Sequence, residues 1–355
     1  MCHSATSHAL RSLSCAFRTQ KIVYRVLVTG ATSALGRYLL WLLKANNCLA
    51  IGVGRNPRKV LQLQQAGFEC LCLDLTDPQT YSKLPKVEQV IHAAALSAPW
   101  GTYSDFYKQN VFVTELLAQW AKEVEVKRII YLSSASVYTT HEHRFNILES
   151  EIPTQFINHY AKTKYLSEQV LKNQNFQAII LRPRAIIGAG DVVIMPRILR
   201  AYQENKLRLP KTSPVVNVTS IENLAELIYL GLNADLNAQY TVFNVANEAP
   251  VQLGQLINDI LTALGLAPPP KNISPLVLYI AGAFYEFFFK LKGSSEEPPI
   301  TRYGATILSK SFTMNLSKVQ AQLGYKALVD TPHSVLQYVD WYQGRLTDTR
   351  FFPKP

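Results

Sequence analysis

The sequence predicts an α/β protein built on a doubly wound parallel sheet with a smaller C-terminal substrate-binding lobe. Three observations predict it: short apolar runs alternate with helical periods from Tyr24 to about Leu181, a glycine turn follows the first run, and 48% apolar content over 355 residues supplies a large core. The strand-like runs are RVLVTG, CLAIGVG, FECLCLDL, VEQVIHAAA, RIIYLSS and AIILRP. Helices are expected from Leu35, around Asn110 to Glu123 and around His159 to Lys172. Strands separated by helices return to the sheet by crossovers, which makes them parallel. Residues 23–184 are therefore read as the core domain.

After Pro183 the regularity loosens, and 185–345 is read as a lobe interleaved with returning sheet elements. Its first part, to Pro214, is broken by Gly188, Gly190 and Pro196 and is expected to run irregularly over the C-terminal edge of the sheet. Residues 216–246 are expected to rejoin the core, through the strand-helix pair VVNVTSIENLAELIYLGL and the strand YTVFNVAN. The stretch Ile273 to Leu291 approaches the length that spans a bilayer, but Pro275, Glu286 and Lys290 oppose a span. It reads as a buried or interface-lying amphipathic helix with Phe284, Phe287, Phe288 and Leu291 on one side, and core packing is favoured over a lipid pocket for its phenylalanines.

Residues 1–22 are Ser- and Arg-rich without an acid or a continuous apolar run, and are read as a disordered or mis-started tail rather than a secretory signal. The net charge of +11 suggests an anionic partner. No nucleic-acid motif accompanies it, so a phosphorylated cofactor or a lipid surface fits better. Five cysteines, an odd number without CxxC spacing, fit a reducing, cytoplasmic setting. His141 and His143 lack evident carboxylate or cysteine partners and read as loop residues; no metal is expected.

The glycine turn TGATSALG places Gly30, Thr32, Ser33, Ala34, Leu35 and Gly36 where a strand hands over to a helix. The free N–H groups of that helix end would face a pyrophosphate. At the end of the next strand Arg55 lies 19 residues after Gly36, with no acid until Glu69. An arginine there accommodates a ribose 2′-phosphate, which favours NADP(H) over NAD(H). Further on, Tyr160 and Lys164 share a helix face, and a lysine cation one turn away makes a phenol acidic enough for proton transfer. Ser134 ends the preceding strand, on the edge where open sheets bind ligands.

These pieces together resemble an extended short-chain dehydrogenase/reductase of Rossmann type, over roughly Val23 to Tyr342. The resemblance is carried by TGATSALG, Asp74–Leu75, HAAA, NVFVT, SSASVY, YAKTK, LRPRAIIGAGD and VNVTSIENLA. Ser33 departs from the extended subgroup's TGxxGxxG, whereas the single-domain subgroup's pattern accepts it. The resemblance implies that Tyr160 is the general acid, that Lys164 lowers its pKa and holds the nicotinamide ribose, and that Ser134 orients the substrate carbonyl. It implies further that Asp74 meets the adenine amine and Leu75 the ring, that Ala93, Ala94 and Ala95 with Asn110 belong to the cofactor site, and that Pro183 and Ile186 flank the nicotinamide.

Within that superfamily LSAPWGTY, MPRIL and EEPPITRYG resemble the 3β-hydroxysteroid dehydrogenase-like branch, and most of all the 2-alkyl-3-oxoalkanoate reductases. The implied activity is NADPH-dependent reduction of a long-chain β-keto acid. A sterol-type dehydrogenase, a sugar-nucleotide epimerase or dehydratase, and a non-catalytic NADP-binding sensor are the competing readings. Arg184, Arg197 and Arg302 are candidate carboxylate anchors, each read singly as a structural ion pair. The partner expectations are a small hydrophobic carbonyl or alcohol substrate, peripheral membrane contact through 273–291, and a homodimer.

Overall fold

The computed structural model describes residues 24–351 apart from 153, 212 and 294–295. The expected tail, with Cys2 and Cys15, lies outside the described residues. Seven parallel strands form the main sheet in the order Tyr240–Val245, Gln177–Pro183, Arg128–Leu132, Gln89–His92, Arg25–Thr29, Leu49–Gly54, Glu69–Cys72. Both faces are covered, and the two-residue strand period shows it. Val26, Val28, Ile130, Ile179 and Leu181 enter one core, under the helices Ala34–Ala45 and Ile221–Asn233. Leu27, Ile129, Tyr131, Ala178 and Ile180 enter the other, under the helix Val113–Glu123.

The chain steps outward from Arg25–Thr29 through two strands, then returns to its other side at Gln89–His92. That reversal leaves a crevice beyond Thr29 and His92, where an open α/β sheet takes its ligands.

The helix expected from Asn110 begins earlier. Its first turn, Tyr103–Phe106, is capped by Thr102, and a wide π turn over Tyr107–Phe112 precedes Val113–Glu123. Such an insertion rotates the side chains that follow it, and here it turns Asn110 inward.

A second sheet of four strands lies in the order Val251–Gln252, Val215–Val216, Phe312–Met314, Arg144–Ile147. Two sequence expectations change here. The run around Val216 pairs with this sheet, not the main one, because it is only two residues long after Pro214 and meets Val251–Gln252 antiparallel. The lobe also borrows Arg144–Ile147 from the stretch read as pure core; its exposed Phe145 and Asn146 hide the strand pattern.

Pro275–Leu291 is a helix, and it is not core. Leu278, Gly282 and Glu286 face inward, while Leu276, Ile280, Phe284, Phe287, Phe288 and Leu291 are exposed. The reversal has a local cause: the Glu286 carboxylate accepts from Arg302 N at 2.7 Å and from Arg302 Nε at 2.8 Å, at the start of the helix Arg302–Ser309. A Cβ at Gly282 would meet Thr301 and Arg302 backbone at 2.7 Å, so the start of the second helix packs closely against that face. Among the described residues no helix is long and apolar enough to cross a membrane.

Candidate active site

The phosphate turn is built by two glycines and a serine with different duties. Gly30 has φ +73, and a Cβ there would lie 2.9 Å from Ala94 N; at Gly36 a Cβ would lie 2.3 Å from Gly30 O. Ser33 needs no such freedom, since its φ is −83. Its Oγ accepts from Gly36 N at 3.0 Å and caps the helix Ala34–Ala45, which leaves the hydroxyl proton to point outward.

The turn opens on a cavity of about 210 Å³. Thr32, Ser33, Arg55, Asp74 and Leu75 line it, together with Ala93, Ala94 and Ala95. Thr76 N–H and hydroxyl both donate to Asp74 at 2.9 Å, and hold its carboxyl below the usual range. Arg55 donates to Gln109 at 3.0 Å. Gln109 and Thr76 line the cavity too and were not singled out from sequence, because neither stands in a motif that marks it.

Several expected residues lie off this lining. Leu35 packs into the core, and Ala34 faces Gly190 from the lobe. Asn110, 2% exposed, accepts from Leu96 N at 2.8 Å and donates to Leu96 O at 3.3 Å and Thr163 Oγ1 at 3.1 Å. It fastens the loop after Ala95 to the helix His159–Leu171. Pro183 and Ile186 lie at the sheet's C-terminal end, paired with Val245 and Thr219.

At that same end the helix His159–Leu171, capped by Asn158, brings Tyr160 to Ser134, the cap of the short turn Ala135–Tyr138. Burial pushes the Tyr160 phenol up, and hydrogen bonds with Ser97 and Ser134 draw it part of the way back. Ser97 is a further residue that sequence reasoning missed; it lies inside LSAPWGTY, where nothing distinguishes it from a loop serine. Lys164 is 2% exposed with its ammonium 4.3 Å from the centre of the Tyr131 ring. Burial pushes Lys164 down to about 7, and the nearby Glu168 carboxylate opposes that shift.

Behind the pair sit two closed networks. His92, fully buried and pushed down to about 3, stays neutral between Thr29 at 2.9 Å and Thr114 at 3.0 Å, and Thr29 also receives Ala94 N at 3.1 Å. Glu168 takes Arg182 and the Ser133 hydroxyl, and Arg182 also donates to Tyr138 at 2.6 Å. These fix the cofactor wall and the strand that carries Ser134.

A family described as the NAD dependent epimerase/dehydratase family matches residues 26–246, which span the sheet, the turn and the Tyr160 helix. The chain belongs to this family. As a member it is an NAD(P)-dependent oxidoreductase of the extended short-chain dehydrogenase/reductase type, with the 3β-hydroxysteroid dehydrogenase-like features noted above. It is 28% identical over 324 residues to the 2-alkyl-3-oxoalkanoate reductase of Shewanella oneidensis, covering 86% of this chain and 83% of that one. With the enzyme of the same name from Stenotrophomonas maltophilia it is 29% identical over 314 residues, covering 85% and 94%. Among solved structures it resembles the UDP-glucuronic acid 4-epimerase from Bacillus cereus in complex with NAD, at TM-score 0.67 and 21% identity over 90% of this chain and 98% of that one, a likeness of fold.

The family's dinucleotide fits the residues present: two glycines whose side chains the backbone excludes, a helix end with a spare hydroxyl proton, and a cation in the cavity lining. His141 and His143 are occupied by Thr306 and by Ser311 N, and among the described residues no cluster suited to a metal occurs. Arg197 pairs with Glu297 and Arg302 with Glu286. Arg184 has no carboxylate within ion-pair distance among the described residues, against the structural ion pair expected of it.

Proposed function

We propose that the protein reduces a long-chain 2-alkyl-3-oxoalkanoate to the 3-hydroxy acid with NADPH. The observation that carries the reductase chemistry is the meeting of the Tyr160 phenol with the Ser97 and Ser134 hydroxyls beside the nucleotide cavity. The bound cofactor supplies a hydride to the ketone carbon. Tyr160 gives its proton to the carbonyl oxygen, and Ser134 donates a hydrogen bond to the same oxygen as charge develops on it. Lys164 lies one turn along the same face and supports the tyrosinate that remains. The names of the two bacterial relatives support the substrate class, and Arg55 at the adenosine end supports NADPH.

The assay is cofactor oxidation by the purified protein against 2-alkyl-3-keto acids, 3-ketosteroids and UDP-sugars. Consumption with the keto acids is expected; epimerisation of a UDP-sugar without it overturns the reading. Arg55→Asp is expected to reverse the preference for NADPH over NADH, and an unchanged ratio overturns the cofactor assignment.

The Pro275–Leu291 helix offers a lipid contact through which an alkyl substrate would be met. Phe284, Phe287 and Leu291 are 65%, 68% and 73% exposed, with Lys290 and Lys292 at the helix end to face anionic headgroups. Phe284→Ser with Phe287→Ser is expected to abolish co-sedimentation with phosphatidylglycerol vesicles and to leave turnover of a short-chain soluble keto acid unchanged. Unaltered co-sedimentation, or none by the wild type, overturns this contact.

A further inference from the structure

Arg184 is a buried cation that the fold leaves unbalanced. It follows Pro183 at the C-terminal end of its strand, next to the strand Arg128–Leu132 that leads into Ser133 and Ser134, where Ser133 N donates to Leu181 O at 2.8 Å. Only 6% of it is exposed, and no carboxylate lies within ion-pair distance of it among the described residues. Its guanidinium carbon lies 4.1 Å from the centre of the Phe312 ring, and the Tyr303 hydroxyl is within hydrogen-bonding reach.

The backbone around it is locked. Arg184 N donates to Thr219 Oγ1 at 3.2 Å, Thr219 Oγ1 donates to Arg184 O at 2.7 Å, and Ala185 is held at φ 43, a left-handed conformation that a side chain disfavours. An unpaired charge away from water is strongly unfavourable, and a guanidinium does not escape by losing its proton at neutral pH. Burial lowers its pKa, as it must where no acid answers it. Strand pairing places Arg184 on the same sheet edge as Ser134, since Leu181 pairs with Leu132 on the neighbouring strand.

We propose that Arg184, with Tyr303, binds the carboxylate of the substrate and so selects a 3-keto acid over the matching ester or simple ketone. This rests on the reductase reading above. In such an acid the carboxylate is two bonds from the reacting carbon, so a carbonyl oxygen held by Tyr160 and Ser134 puts the carboxylate within a few ångströms, along the sheet edge that Arg184 shares with Ser134. The planar guanidinium matches a carboxylate with two parallel hydrogen bonds.

The test is kcat/KM of the NADPH-loaded enzyme for a 2-alkyl-3-oxoalkanoate and for its methyl ester, in the wild type, Arg184→Met, Arg184→Lys and Tyr303→Phe, with NADPH affinity and thermal unfolding measured on each. Arg184→Met is expected to lose about 100-fold on the acid, mostly in KM, and to keep its ester activity and NADPH affinity, since hydrogen bonds to a charged group carry that magnitude. Arg184→Lys is expected to recover part of the loss. Equal losses on acid and ester overturn the proposal and make Arg184 structural. If Arg184→Met does not fold, the wild-type preference for acid over ester and its reduction in Tyr303→Phe decide the matter. A wild type that reduces both equally removes the anchor and leaves the reductase; one that reduces neither removes both.

Discussion

Tyr160 draws its acidity in this fold from two hydroxyls more than from the lysine one turn on. Ser97→Ala is therefore expected to raise the phenol pKa further and to lower kcat about tenfold or more, with the basic limb of the pH–rate profile moving upward. An unmoved limb would make Ser97 a loop residue. Lys164 has its own signature. Its pKa of about 7 in the fold against an ordinary value of 10.5 means that between those values the unfolded chain binds more protons, so stability rises with pH across the window. Urea unfolding at pH 7 and pH 8.5 should show a gain of up to about 1.4 kcal/mol per unit in the wild type and a smaller one in Lys164→Met. The tyrosine, the lysine and Ser134 were legible because their spacing has a chemical reason. Ser97 was not, because it lies in an irregular loop; Arg184 stood among the candidate carboxylate anchors, but the ion pair expected of it is not found among the described residues.

Among elements, the phosphate turn was legible down to its serine. Ser33 stands where a glycine is expected in one pattern, and its ordinary negative φ explains why a side chain is accepted there. Ser33→Gly is expected to change stability by only a few tenths of a kcal/mol, Ser33→Ala to cost about 1 kcal/mol with the lost cap, and Gly36→Ala to cost about 1–3 kcal/mol with weakened dinucleotide binding. Denaturant unfolding and cofactor titration on the three variants give that ranking or refute it. The Pro275–Leu291 helix was legible as a helix and not in its orientation. Phe284, Phe287, Phe288 and Leu291 read as one side of an amphipathic helix, but a local pattern does not say whether that side faces the core or the solvent. Glu286 decides the matter through Arg302, which lies beyond the reach of a local pattern.

For the whole molecule, the alternation of strands and helices sufficed for the sheet, because buried parallel strands read as continuous apolar runs. The lobe did not yield to the same reasoning, since its sheet is assembled from two- to four-residue strands spread between 144 and 314. Single polar side chains join the two parts: Asn244 on the main sheet donates to Ile147 O at 2.8 Å and Asn315 O at 3.2 Å and accepts from Tyr138 at 2.7 Å. The buried Glu168–Arg182 pair ties the Tyr160 helix to its neighbouring strand. Glu168→Gln is expected to cost about 3–5 kcal/mol by chemical denaturation, because it leaves Arg182 without its charge partner, whereas Glu125→Gln at the exposed Lys86 pair is expected to change stability by less than about 1 kcal/mol. Equal effects at the two sites would refute the assignment.

The contact between Gly190 and Ala34 reaches further than packing. A Cβ on Gly190 would fall 2.7 Å from the Ala34 Cβ, at a residue whose φ is +83. The first loop of the lobe thus rests on the opening residue of the dinucleotide helix, and neither position has room to grow while the other stays as it is. Across descendants of this chain the two sites are expected to drift as a pair, with enlargement at 34 admitted only where the loop at 190 has moved aside. A change in substrate range that begins in that loop would then carry a change in cofactor grip with it.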